Sequence, residues 1–162
     1  MTQLVRALVV DDEERIRLFL KEVLRREGHV VTIAANGEEA LTYLENTAFD
    51  LAILDLMLGG RIDGQRVLEA IRWRWPAMVV IMMTAHGTLN SALQAIREGV
   101  DGYLPNRSKL RKYDWLSRRL LIAGRSELNY IFPGVRGSIL KVARFLWTSI
   151  AVVSLEMARL LR

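Results

Sequence analysis

Three aspartates stand where short apolar runs end: Asp11 and Asp12 after VRALVV, and Asp55 after LAIL. If those runs are neighbouring parallel strands, about 4.8 Å apart, the three carboxylates converge at one edge of a sheet. Clustered carboxylates repel one another unless a cation sits among them. Hard oxygen donors with open positions suit Mg²⁺, which keeps several of its waters. A cation held there would neutralise charge on an incoming phosphoryl group and make a carboxylate usable as its acceptor. Taken singly, each acid has a plainer reading, with Asp12 a helix cap, Asp11 a turn residue and Asp55 a loop acid. The coincidence of all three at carboxyl ends of strands favours the metal site. Thr84 follows VVIMM, so its hydroxyl would face the same edge and could bond a phosphoryl oxygen; its plainer reading is a helix cap or a strand residue. Tyr103 falls in a short fifth strand, where an aromatic turns either inward or outward.

The elements that must position these residues follow from periodicity. Branched apolar runs alternate with segments of helical period, the pattern of βα units around a parallel sheet buried on both faces. Strands are expected at 4–10, 30–34, 51–54, 79–82 and 102–104. Ile16, Phe19, Leu20, Val23 and Leu24 share one helical face, as do Leu89, Ala92, Leu93 and Ile96. Asn36 followed by Glu39 marks a helix start, and Gly28 and Gly99 mark helix stops. Five such units form an open, doubly wound α/β sheet, which binds ligands outside the carboxyl ends of its strands where strand order reverses.

The 162 residues suffice for one sizeable core and a short extension, not for two full domains. There are no cysteines, which excludes disulfides, thiolate nucleophiles and zinc-thiolate sites and fits a reducing cytoplasm. The first residues meet four acids too soon for a secretion signal, so a cytoplasmic location is expected. Residues 1–104 carry 11 Lys/Arg against 15 Asp/Glu, whereas residues 105–162 carry 12 against 3. The chain therefore divides into an acidic part and a basic one.

The segments VVDDEE, LAILDLMLGGRIDG, VVIMMTAHGT and EGVDGYL, in this order and spacing, resemble the receiver domains of bacterial response regulators over roughly residues 4–106. That resemblance implies a five-stranded flavodoxin-like fold and an Asp55 that accepts phosphate from a histidine kinase or phosphotransfer protein. It further implies Mg²⁺ held by Asp12, Asp55 and the Met57 carbonyl, with Asp11 assisting through water, and Thr84 and Tyr103 as a switch pair. One position departs from the family. Asn106 stands where receivers carry a lysine, and an amide donates hydrogen bonds without bringing charge. Arg107 and Lys109 are the nearby cations, of different shape and reach. The departure coincides with the change to basic composition, which suggests a replaced C-terminus or an altered reading frame. GGRID is read as a length variation in a tolerant loop. His29 and His86 are read as surface or loop residues, and Trp73 and Trp75 as cover for the edge of the core.

The receiver is expected to span 1–123, with Ser108 starting a fifth helix whose apolar face carries Leu110, Tyr113, Leu116, Leu120 and Leu121. Residues 124–162 would form a basic, apolar and helical extension. Residues 145–155 are uncharged, too few to span a bilayer, which needs about 20 residues. Packing on its own receiver or pairing in a homodimer is the favoured reading of this tail, over nucleic-acid or membrane contact. Two other functions compete with a non-enzymatic phosphoacceptor. A phosphorylation-independent binding module is suggested by Asn106. A small phosphohydrolase with Asp55 as nucleophile is disfavoured, because enzymes of the haloacid-dehalogenase type need an acid where Met57 stands.

Overall fold

Short runs of branched residues fold here as strands because the central ones are buried on both faces of the sheet. The computed structural model describes residues 4–84, 97 and 99–105. Within them, β1 (Arg6–Val10), α1 (Glu14–Arg26), β2 (Val30–Ala34), α2 (Gly37–Asn46), β3 (Leu51–Asp55), α3 (Gly64–Arg74), β4 (Val79–Thr84) and β5 (Gly102–Pro105) follow in turn. All strand pairs are parallel, in the order β2-β1-β3-β4-β5. The chain thus steps outward from β1 to β2, then crosses back to β3 on the other side. This reversal opens a crevice beyond the carboxyl ends of β1 and β3.

The elements match the expected ones, with shifted ends. The first strand begins at Arg6, leaving Leu4 57% exposed. The third and fourth extend to Asp55 and Thr84 because the ladder continues, with Asp55 beside Met83 and Thr84 beside Pro105. Pro105 closes an edge strand, where a missing N–H costs little.

Alternation along the strands divides the core. On one face Leu20 and Leu24 of α1 pack with Ala7, Val9, Ile53 and Ile81. On the other, Ala40 and Leu44 of α2 and Val67, Leu68 and Ile71 of α3 pack with Leu8, Val10, Leu54 and Met82. Every residue of β3 is buried. At about 1.5–3 kcal/mol for each large side chain removed from water, these two layers hold the sheet.

The predicted helix signals are met by specific bonds. Asn36 Oδ1 accepts from the Glu39 N–H at 2.8 Å, and Glu39 Oε2 accepts from the Ala35 N–H at 2.7 Å. Gly28, at φ 86°, ends α1: its N–H donates to the Arg25 carbonyl and the His29 N–H to the Leu24 carbonyl. His29 corrects its expectation of a surface residue. It lies in a loop but is buried, and its Nδ1 accepts from the Val5 N–H at 3.4 Å. Trp75 is packed against the core as expected, whereas Trp73 is 83% exposed at the end of α3.

The amino-terminal edge of the sheet is tied by Arg72. Its guanidinium donates to the carbonyls of Gly99 (2.6 Å) and Met78 (2.7 Å) and pairs with Asp101 Oδ2 at 2.6 Å. The same carboxylate oxygen accepts from the Val80 N–H, so one side chain joins α3 to the starts of β4 and β5. Among the described residues no helix is long and apolar enough to cross a membrane. The helical face of Leu89 to Ile96, His86, Asn106, the helix expected after Ser108, the boundary at 123 and the extension 124–162 lie outside the described residues.

Candidate cation and phosphoryl site

Asp11 follows the last residue of β1, and Asp55 is the last residue of the adjacent β3. Strand pairing places Val10 beside Leu54, so the residues that follow emerge together at the crevice. A ligand oxygen from each of Asp11, Asp12 and Asp55 lies within 4.8 Å of the others. The convergence inferred from spacing is therefore present.

The turn carrying Asp11 and Asp12 is fixed on several sides. The Asp11 N–H donates to the Ala34 carbonyl at 3.2 Å, and Asp11 Oδ1 accepts from the Glu13 N–H at 2.8 Å. Arg17, in the first turn of α1, reaches back so that its Nη1 donates to the carbonyls of Asp11 (2.8 Å) and Asp12 (2.9 Å). Glu13, not Asp12, is the N-cap residue of α1, and it makes no side-chain capping bond. The turn-residue reading of Asp11 is correct, and it coexists with membership of the acidic cluster. The Arg17 contact was missed from sequence; its only signal is a basic residue five and six positions after the acids.

Asp11 is fully buried, and among the described residues its Oδ2 has no hydrogen-bond partner. Burial above all pushes its carboxyl up from 3.8 to about 7, opposed by the Glu13 N–H and reinforced by the charges of Asp55, Asp12 and Glu13. A buried oxygen without a partner, among two more carboxylates, is what a hard divalent cation would satisfy. These residues fit Mg²⁺.

Asp55 is 8% exposed, and its Oδ1 accepts from the Met57 N–H at 3.1 Å, which restrains the carboxylate. The Met57 side chain is 67% exposed, so the loop after β3 begins at the rim of the crevice. That loop leads to α3 by a close approach: a Cβ on Gly64 would meet the Asp55 carbonyl oxygen and lie 2.7 Å from the Leu56 Cα. The GGRID stretch is held as well, since Glu38 Oε1 accepts from the Arg61 N–H at 3.0 Å. Thr84 ends β4 one step beyond the pairing of Met83 with Asp55, and Tyr103 of β5 pairs with Met82 of β4. The backbone therefore puts Thr84 at the same edge and Tyr103 one strand further out.

Comparison with known proteins agrees with this construction. Residues 7–113 match the response regulator receiver domain family. A putative NtrX-like response regulator of Rickettsia bellii is 40% identical over 102 residues, covering 62% of this chain and 21% of that protein. The crystal structure of NtrX from Brucella abortus superposes with a TM-score of 0.62 at 32% identity, over 72% of this chain and 27% of that one. The response regulator TrrA of Thermotoga maritima, solved in complex with Mg(2+)-BeF, superposes at 0.57 with 36% identity, over 72% of this chain and 96% of that one. The chain spans about a fifth of the length of the NtrX-like relative it matches. The fold, the acidic cluster and the family match define a response regulator receiver, and this chain belongs to that family.

Proposed function

We propose that this receiver accepts a phosphoryl group on Asp55, with Mg²⁺ at the acidic cluster, and thereby switches a protein-interaction surface. The observation that carries this reading is the convergence of Asp11, Asp12 and Asp55 around a buried, unpartnered Asp11 oxygen. The donor is a phosphohistidine of a histidine kinase or phosphotransfer protein. A carboxylate oxygen of Asp55 forms a bond to phosphorus as the phosphorus–nitrogen bond breaks, and the imidazole leaves after taking up a proton. The product is an acyl phosphate on Asp55. The Met57 N–H holds Oδ1 and so limits rotation of the attacking carboxylate. Asp11, Asp12, Asp55 and the Met57 carbonyl would hold Mg²⁺, which would supply neutralisation of the charge on the transferred group. The Thr84 hydroxyl then bonds a phosphoryl oxygen, and Tyr103 follows it as the second member of the switch.

In this reading the chain is a phosphoacceptor rather than an enzyme, works in the cytoplasm, and comprises a receiver at 1–123 followed by the basic segment 124–162. Intact-mass spectrometry after incubation with acetyl phosphate and Mg²⁺ tests it. A single phosphate adduct, lost in Asp55→Ala, is expected; an undiminished adduct in that variant refutes the assignment. Asn106 at the family's lysine position favours a second reading, a binding module that works without phosphate. Absence of any adduct on folded protein would put that reading first.

A further inference from the structure

The basic side chain that reaches back to the turn of Asp11 and Asp12 is not used to neutralise them. Arg17 forms none of the ion pairs among the described residues. It spends one guanidinium nitrogen on two consecutive backbone carbonyls, those of Asp11 and Asp12. An arginine paired directly with a carboxylate would compete with a divalent cation for the same lone pairs. Bound to the carbonyls instead, it leaves the carboxylate oxygens to a metal while fixing the backbone from which they project. Its own backbone is anchored, because the N–H groups of Ile16 and Arg17 both donate to the Glu13 carbonyl at the start of α1. The turn between β1 and α1 is thus braced by Ala34 from β2, by Glu13 from within, and by Arg17 from the helix.

We infer that Arg17 is a positioning residue for the acidic site, holding the turn of Asp11 and Asp12 so that both carboxylates stay ready for a divalent cation. This rests on the reading of the cluster as a cation site. Bracing matters most for Asp12, whose side chain is exposed and, among the described residues, receives no hydrogen bond that would order it. An outer contact of this kind typically changes metal affinity by about 10- to 100-fold when removed. Arg17 presents two N–H groups on one nitrogen, one for each carbonyl. Lysine carries the charge and enough donors on a shorter stem, so Arg17→Lys should keep part of the effect that Arg17→Gln loses.

The test is Mg²⁺ binding to the full chain by isothermal titration calorimetry, with urea unfolding in EDTA alongside. Arg17→Gln should weaken Mg²⁺ binding by about tenfold and Arg17→Lys by less, with the metal-free urea midpoint nearly unchanged. Wild-type affinity in Arg17→Gln overturns the inference, as does a lowered metal-free midpoint with the Mg²⁺ affinity intact, which is the signature of a merely structural contact. If Arg17→Gln does not fold, Arg17→Lys decides: an affinity equal to that of the wild type overturns the inference, and a weaker one with an intact metal-free midpoint supports it. No saturable Mg²⁺ binding to the wild type would instead remove the cation-site reading itself, a failure distinct from the other two.

Discussion

Asp11→Asn should make this protein more stable when no metal is present. Burial lifts the Asp11 carboxyl from 3.8 to about 7, so the folded state resists its ionisation. For an acid raised in this way, the stability contribution is full below about pH 4 and is lost as pH rises through about 7. A difference of about 3 pH units at about 1.36 kcal/mol each means that ionised Asp11 costs about 4 kcal/mol well above pH 7. Asparagine removes that charge and keeps an oxygen for the Glu13 N–H. Its amide nitrogen, in place of the unpartnered Oδ2, returns about 1–3 kcal/mol of the gain. The net expectation at pH 8.5 in EDTA is a variant more stable by about 1–3 kcal/mol. Mg²⁺ at about 1,000 times its Kd should reverse the order, since it stabilises the wild type by about 4.1 kcal/mol and the variant binds it poorly. Urea unfolding at pH 8.5, with EDTA and then with Mg²⁺, measures both. A variant less stable than the wild type in EDTA, or equal gains from Mg²⁺, would show that Asp11 is not a strained metal ligand.

Gly64→Ala forces a Cβ into the Asp55 carbonyl and the Leu56 backbone, so it should cost about 2 kcal/mol or more and weaken Mg²⁺ binding, both read from urea curves with and without the cation. His29 is held neutral by burial, its pKa lowered from 6.5 against the opposing charge of Glu27. Its contribution is therefore present above about pH 6.5 and lost as pH falls, and in saturating Mg²⁺ the urea midpoint should drop more between pH 7.5 and 5.5 than in His29→Gln. Equal slopes would count against it. Arg72→Met removes bonds to Gly99, Met78 and Asp101 and should lower stability by about 2 kcal/mol while leaving Mg²⁺ affinity within about twofold, because the tie lies at the edge of the sheet away from the acids.

Much of this arrangement was legible in the residues themselves. Continuous branched runs identified strands buried on both faces, and their acidic endings identified the crevice, because period and burial are local signals that a parallel sheet imposes. The Asn36 and Glu39 cap was readable for the same reason, since its partners lie within a few residues. Contacts between distant segments were not readable. The threefold grip of Arg72 spans segments up to 29 residues apart, and Arg17, though only five and six residues from its partners, resembles any surface arginine because its bonds go to backbone carbonyls rather than to a complementary side chain. The loop reading of His29 holds but its burial was not readable, because a single histidine in a loop carries no periodic sign of burial. Its partner, Val5, precedes β1 and is met only after α1 has crossed the sheet.

The parallel direction of the sheet also gives the molecule an electrical axis. Each of α1, α2 and α3 begins just beyond the carboxyl end of a strand, so all three helices start at the edge that carries Asp11, Asp12 and Asp55. A helix start bears about half a positive elementary charge, and its end the reverse. The edge with the carboxylates is therefore the one where backbone dipoles best tolerate negative charge. The opposite edge collects Arg25 and Arg26 in the last turn of α1 and Arg72 and Arg74 in that of α3, where cations meet the negative ends. An anion approaching the crevice is met by a backbone field already oriented, before any side chain moves.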